Sequence, residues 1–88
     1  MNTIELIREK LATLSPNKLE IEDDSALHAG HEGSKGGGGH YNLIIVSPRF
    51  AGQNTVTRHR MIYTALADMM QTQIHALSIQ AFTPEEFH

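Results

Sequence analysis

A chain of 88 residues has room for one domain with one hydrophobic core, so we treat residues 1–88 as a single unit. It contains no cysteine, which excludes a disulfide framework and any thiolate metal ligand from the chain itself. A formal net charge of −3 lacks the basic excess typical of nucleic-acid binders. Charged residues interrupt the apolar N-terminal stretch, so we expect no signal peptide and no membrane span, and a cytoplasmic location.

The first part of the chain predicts a helix, a strand and a long loop. Apolar residues at three- and four-residue steps predict an amphipathic helix over residues 3–14, with Asn2 and Glu5 as a capping box. Alternating polar and apolar residues predict a half-buried strand over residues 18–23. The glycine-rich segment 25–39 cannot supply a core, so we predict a mobile loop there.

The second part of the chain predicts two strands on either side of a helix. The β-branched run over residues 40–47 predicts a strand of a buried sheet, and a 3.6-residue period predicts a helix over residues 54–71. Residues 75–82 alternate and predict a third strand, with one face formed by His75, Leu77, Ile79 and Ala81. The sequence Thr83-Pro84-Glu85-Glu86 predicts the start of a final helix.

The predicted order α-β-β-α-β-α describes an α+β domain. Two strands joined by a loop are expected to be antiparallel, and the helix between the second and third strands permits a crossover to a parallel neighbour. We therefore predict a three-stranded mixed sheet with both long helices on one face.

Histidines are the most informative feature of the composition, since the chain has six of them and no cysteine or tryptophan. A histidine binds transition metals through a neutral ring nitrogen. From the residues alone, His75 at the start of a strand is more commonly a structural residue than a ligand. His40 also begins a strand, where it caps the strand or faces solvent.

The tightest basic cluster is Arg58-His59-Arg60, at the start of the second predicted helix. The two arginines lie about 160° apart around a helix, so they do not form one basic face for a nucleic-acid groove. They can instead contact an acidic partner, glutathione or phosphate. We treat all three residues as candidate contacts to a partner or to nucleic acid.

No catalytic constellation is recognisable in the sequence. There is no cysteine nucleophile and no serine in an elbow motif, and the acidic pairs Asp23-Asp24 and Glu85-Glu86 suit strand ends and helix caps. The glycine-rich segment is not followed by Gly-Lys-Ser/Thr, so it does not form a phosphate-binding loop. We predict that the chain is not an enzyme.

Two long stretches, SPRFAGQNTVTRHRMIYTAL and IHALSIQAFTPEEF, together resemble the BolA family. They contain a Phe-x-Gly turn, an Arg-His-Arg helix start, a His-Ala-Leu strand and a Thr-Pro-Glu end in the family's order. The upstream HAGH and HYNLIIVS match in placement, so the resemblance covers nearly the whole chain. It implies a fold akin to a type II KH domain, although the Gly-x-x-Gly clamp of KH domains is not present at Gly52-Gln53-Asn54-Thr55.

The resemblance implies partnership rather than catalysis. BolA-like proteins pair with monothiol glutaredoxins and share a [2Fe-2S] cluster, for which glutaredoxin supplies a cysteine and glutathione a second thiolate. The BolA side supplies a histidine at the start of the last strand, here His75, and a histidine or cysteine from the loop between the first two strands. Counted back from His40, the loop ligand is His31, with His28 as the alternative.

The resemblance also leaves other functions open. Some relatives are linked to DNA binding and transcriptional control, which makes a DNA-binding regulator the second candidate. A cluster-free interaction module is the third. We expect the isolated chain to be a monomer or a weak homodimer.

Overall fold

The computed structural model describes residues 2–24 and 39–87, which form a three-stranded sheet covered by two helices. The elements are α1 (Thr3–Leu11), β1 (Lys18–Asp23), β2 (Gly39–Val46), α2 (Thr55–Leu66) and β3 (Ile74–Phe82). Short 3-10 helices lie at Ala12–Leu14, Pro48–Phe50 and Ala67–Gln71. Residues 25–38 of the loop predicted over residues 25–39, with His28 and His31, lie outside the described residues, whereas Gly39 begins β2. No helix of the described part is long and apolar enough to cross a membrane.

The sheet has the order β1-β2-β3 and mixed strand directions. β1 pairs antiparallel with β2, from Lys18 opposite Val46 to Asp23 opposite Tyr41. β2 pairs parallel with β3, and this pairing ends at Val46 opposite Phe82. The predicted α+β class, with a mixed sheet and an antiparallel first pair, is therefore confirmed.

Helix α1 begins where the capping box was predicted. The Glu5 backbone N–H donates to Asn2 Oδ1 at 2.8 Å, and the Asn2 N–H donates to Glu5 Oε2 at 3.4 Å. Two of the four free N-terminal amides of the helix are satisfied in this way. The α-helix ends at Leu11, earlier than predicted, because the next turn tightens to a 3-10 helix that closes at Ser15 in left-handed geometry with φ 49°.

The core lies between the helices and one face of the sheet. Alternate residues of β2 point into it, and Tyr41, Leu43 and Ile45 are buried, as the period of a strand requires. The buried partners from the helices and their extensions are Ile7, Leu11, Leu14, Ile62, Leu66 and Met69. The opposite face of the sheet carries polar side chains such as Asn42, Ser78 and Gln80, which are half-buried or exposed.

Ser47 ties three elements together just after β2. Its side chain is fully buried, its Oγ donates to the Leu14 carbonyl at 2.6 Å, and the same oxygen accepts from the Arg49 N–H at 3.1 Å. Its backbone N–H donates to the Phe82 carbonyl at 2.9 Å. The 3-10 helix after α1 and the ends of β2 and β3 are thus held at one point by a buried polar group whose hydrogen bonds are satisfied.

The C-terminal segment differs from the prediction of a final helix. The Thr83 N–H donates to Glu86 Oε1 at 2.8 Å and the Glu86 N–H donates to Thr83 Oγ1 at 3.3 Å, so the predicted capping pair forms. Over the described residues, however, Pro84–Glu86 form only a turn. Phe87 then packs against Phe82, with ring centroids 5.5 Å apart, and the Lys18 ammonium lies 5.4 Å from the Phe87 centroid. These side-chain contacts hold the segment against the sheet.

Candidate functional site

Two histidine rings meet at one end of the sheet, where β2 and β3 both begin. The rings of His40 and His75 are stacked, with centroids 5.2 Å apart and planes inclined by 27°. His75 is exposed and His40 is half-buried. The structure therefore leaves the candidate metal ligand of β3 accessible to a partner and gives it an aromatic neighbour.

A shift in strand register explains the exposure of His75. Gly39 is opposite Ile74, but His40 is opposite Ala76, so β3 contains one additional residue at position 75. Such a β-bulge breaks the alternation of a strand and redirects a side chain. Ile74 is buried in the core instead. The prediction that His75 shares the face of Leu77, Ile79 and Ala81 is therefore wrong, because strict alternation does not extend past the bulge.

The backbone around the histidine pair is held by hydrogen bonds from two other segments. The Gly39 N–H donates to the Gln73 carbonyl and the Asp24 N–H donates to the His40 carbonyl, each at 2.8 Å. The Asn42 amide in turn donates to the Asp24 carboxylate. Beside His40 lies an open depression of about 250 Å³. Its lining residues come from β2, from β3 and from the residue that follows β1: Asp24, His40, Tyr41, Asn42, Ala76, Leu77 and Ser78.

The donor chemistry at this end of the sheet fits a nitrogen-ligated metal. A neutral imidazole binds iron or zinc through one ring nitrogen, and an exposed imidazole can present that nitrogen to a site on another protein. Within residues 2–24 and 39–87, no group of three or more His, Cys, Asp or Glu side chains is placed to hold a metal. The predicted loop ligands His31 and His28 lie outside the described residues, so their role stays a prediction.

The proximity of His40 to His75 was missed in the sequence, although the information was available. The order of elements predicted that the second and third strands run parallel, and a histidine stands at the start of each. Parallel neighbours place their first residues at the same edge of a sheet. Combining these two facts would have placed His40 beside His75.

Arg58, the first candidate partner contact, is engaged within the domain. Its guanidinium donates to both carboxylate oxygens of Glu86 at 2.6 and 3.2 Å, and to the carbonyls of Gln53 at 2.8 Å and Ala81 at 3.1 Å. It also lies 5.9 Å from the centroid of the Phe50 ring. The bidentate pair and the bond to the Ala81 carbonyl anchor the start of α2 to the end of β3 and the turn that follows it.

The other two members of the basic cluster remain on the surface of α2. His59 is half-buried and Arg60 is exposed. Arg58 contacts the Ala81 carbonyl, which is six residues along β3 from His75, so the basic cluster and the histidine pair lie roughly 20 Å apart. The structure therefore does not unite the two groups of predicted site residues.

The ion pair with Arg58 makes the stability contributed by Glu86 dependent on pH. The hydrogen bond from Arg58, followed by that from the Thr83 N–H, lowers the pKa of Glu86 from 4.5 to about 2. A carboxylate with a depressed pKa stabilises the fold fully above its unfolded pKa, and this contribution is lost as the pH falls toward the folded pKa. We expect Glu86→Gln to lower the free energy of unfolding at pH 7, and the difference from the wild type to shrink between about pH 4.5 and 2.

Urea unfolding followed by circular dichroism at several pH values measures this effect. Glu85→Gln, at the exposed neighbouring position, is the matched control and should change stability little. Because Glu86 is exposed, added salt should also reduce the difference. A difference between Glu86→Gln and the wild type that stays constant from pH 7 to 2.5 would contradict this prediction.

Comparison with known proteins identifies related sequences over nearly the whole chain. The family model for BolA-like protein matches residues 11–86. The DNA-binding transcriptional regulator BolA of Escherichia coli is 40% identical over 84 residues, an alignment that covers 94% of this chain and 77% of that protein. Protein BOLA1, chloroplastic, of Arabidopsis thaliana is 47% identical over 89 residues, which covers 97% of this chain and 56% of that protein.

A third relative and a solved structure extend the comparison. SufE-like protein 1, chloroplastic/mitochondrial, of Arabidopsis thaliana is 50% identical over 86 residues, 91% of this chain but only 23% of that protein. The chain thus spans from about a quarter to just over half of the two plant relatives. The structure of BolA1 from Arabidopsis thaliana superposes with a TM-score of 0.86 at 46% identity, over 100% of this chain and 98% of that one. By family model, sequence and structure, the chain belongs to the BolA family.

Proposed function

We propose that this chain is an adaptor that forms a complex with a monothiol glutaredoxin and ligates a [2Fe-2S] cluster jointly with it, in iron–sulfur cluster trafficking or in iron and redox regulation. The observation that carries the proposal is the exposed imidazole of His75, turned out of the core by a bulge at the first residues of β3. The neighbouring Ile74 fills the core, so core packing does not require the His75 side chain.

The other ligands of the proposed cluster are expected from the part of this chain that the structure does not describe, from glutaredoxin and from glutathione. A second nitrogen is expected from His31, or from His28 as the alternative, and the thiolates from the glutaredoxin cysteine and from glutathione. A cluster with imidazole in place of thiolate carries less negative charge and has a higher reduction potential. Since protons compete with metal for the imidazole nitrogen, such a cluster is also lost more easily in acid, which suits sensing or transfer.

Anaerobic reconstitution tests the proposal directly. The chain, a monothiol glutaredoxin, glutathione, iron and sulfide are combined and separated by size-exclusion chromatography. We expect a coloured heterodimer with two iron atoms per complex, and no cluster on this chain alone. Binding of glutaredoxin without iron would favour a cluster-free interaction module, and the failure of the two chains to associate would exclude the proposal.

DNA binding is the second candidate function, and it rests on the names of relatives. The Escherichia coli and Haemophilus influenzae proteins are both described as DNA-binding transcriptional regulators, at 40% and 36% identity. The net charge of −3 and the engagement of Arg58 by Glu86 count against it, since a phosphate contact through Arg58 would require the ion pair to break. Fluorescence anisotropy with duplex DNA between 50 and 200 mM salt tests DNA binding. A steep fall in affinity as salt is added, and a lower affinity of Arg60→Ala than of the wild type, would support this function.

The cellular location and the lack of enzymatic activity remain predictions. The two plant relatives are named chloroplastic, or chloroplastic and mitochondrial, so their names do not point to the cytoplasm. An adaptor role is proposed in place of catalysis, because the exposed imidazole at the sheet end suits ligation.

A further inference from the structure

We infer that His40 is the positioning residue for His75: its ring holds the His75 imidazole by stacking against one face, so that a ring nitrogen is presented outward from the end of the sheet. This inference rests on the proposed function, since it assigns His75 the role of ligand. It assigns a role to His40, to which the family resemblance gave none.

The geometry of the two rings carries the inference. Centroids 5.2 Å apart and planes inclined by 27° lie in the range of offset-stacked aromatic pairs. An exposed histidine in a bulge would otherwise sample several rotamers, and fixing one of them costs conformational entropy at the moment of binding. Stacking reduces this cost before the partner arrives, which is how a neighbouring side chain preorganises a binding residue.

Backbone hydrogen bonds fix the position of His40 in the sheet. Its carbonyl accepts from the Asp24 N–H at 2.8 Å, and the preceding Gly39 N–H donates to the Gln73 carbonyl at 2.8 Å. His40 is also half-buried, whereas His75 is exposed. The more buried ring of the pair therefore belongs to the residue whose backbone is fixed by these bonds, and we take it to restrain the more exposed ring.

Stacking fits the needs of a metal ligand. A ligating imidazole must direct one ring nitrogen at the metal, and its orientation is normally fixed by a neighbouring group. A ring stacked on one face of His75 restricts the plane of the imidazole without covering the nitrogens at its edge. Any aromatic ring at position 40 can do this, with or without a nitrogen.

Two matched variants separate stacking from other roles of His40. His40→Phe keeps a flat ring and removes both nitrogens, while His40→Leu keeps apolar volume without the ring. In the complex reconstituted with glutaredoxin and glutathione, we expect His40→Leu to accelerate cluster loss about 2- to 12-fold, and His40→Phe to stay within about twofold of the wild type. Thermal unfolding of each variant confirms that the chain is folded.

A second measurement uses the isolated chain and needs no cluster. In the wild type, NMR should show contacts between the two histidine rings and a dominant χ1 rotamer of His75. His40→Phe should retain both features and His40→Leu should lose the preferred rotamer. Averaged His75 rotamers in the wild type would overturn the inference. A His40→Phe variant that loses its cluster as fast as His40→Leu would also overturn it, because a nitrogen of His40 would then be required.

His75→Ala distinguishes failure of this inference from failure of the proposed function. If His75→Ala leaves the cluster unchanged, the proposed ligand itself is wrong. If His75→Ala removes the cluster while His40→Leu retains it at the wild-type rate, only the positioning role of His40 is wrong.

Discussion

Replacing Phe50 by alanine is expected to lower the free energy of unfolding by about 3–5 kcal/mol, the usual cost of deleting a buried phenylalanine side chain. Phe50 is fully buried in the 3-10 helix between β2 and α2, and Arg58 lies over its ring. A domain has only about 5–15 kcal/mol of stability in total, and one of this size is near the lower end. We therefore expect the variant to be largely unfolded at 37 °C.

Urea and thermal unfolding followed by far-ultraviolet circular dichroism measure the effect. Val56→Ala in α2 is the control, because Val56 is 60% exposed and its truncation should change stability by less than about 0.5 kcal/mol. A cooperative Phe50→Ala protein within 1 kcal/mol of the wild type would show that Phe50 is not central to the core.

Replacing His75 by alanine is expected to leave the fold intact and to remove the cluster from the glutaredoxin complex. Because the side chain is exposed, the free energy of unfolding should change by less than about 0.5 kcal/mol. Loss of a group that only orients a metal ligand typically costs 10–100-fold in affinity, so loss of the ligand itself should accelerate cluster loss by at least about 10-fold. Visible circular dichroism of the reconstituted complex follows the loss.

Gln80→Ala is the matched control for this variant. Gln80 is exposed on the same strand, toward its other end, and should keep the wild-type cluster spectrum and lifetime. Equal cluster lifetimes in His75→Ala and the wild type would show that another group ligates the iron.

Features set by short stretches of sequence were predicted well. The capping box of α1 depends on two residues three positions apart, and the strands over residues 18–23 and 75–82 follow from local alternation. The mixed sheet follows from the order of elements, since only the crossover helix permits a parallel pair. His75 is exposed at the start of β3, and its role as a ligand stays a prediction.

Features set by pairing between distant residues were not predicted. The bulge at His75 depends on how β3 aligns with β2, more than thirty residues earlier, and the residue pattern of β3 alone continues the alternation through position 75. The ion pair between Arg58 and Glu86 joins residues 28 positions apart, which made Arg58 look available to a partner. Glu86 is held by this pair within a turn, where a helix had been predicted.

Pulsed electron paramagnetic resonance of the reduced cluster, in a complex whose BolA-family chain is labelled with ¹⁵N-histidine, tests most directly whether His75 ligates iron. We predict a strong nitrogen coupling that changes with the isotope, typical of an imidazole bound to iron, and its loss or reduction in His75→Ala. A cluster with no coupling to histidine nitrogen, or with the same coupling in His75→Ala, would contradict the claim that His75, at the start of β3, ligates the shared cluster.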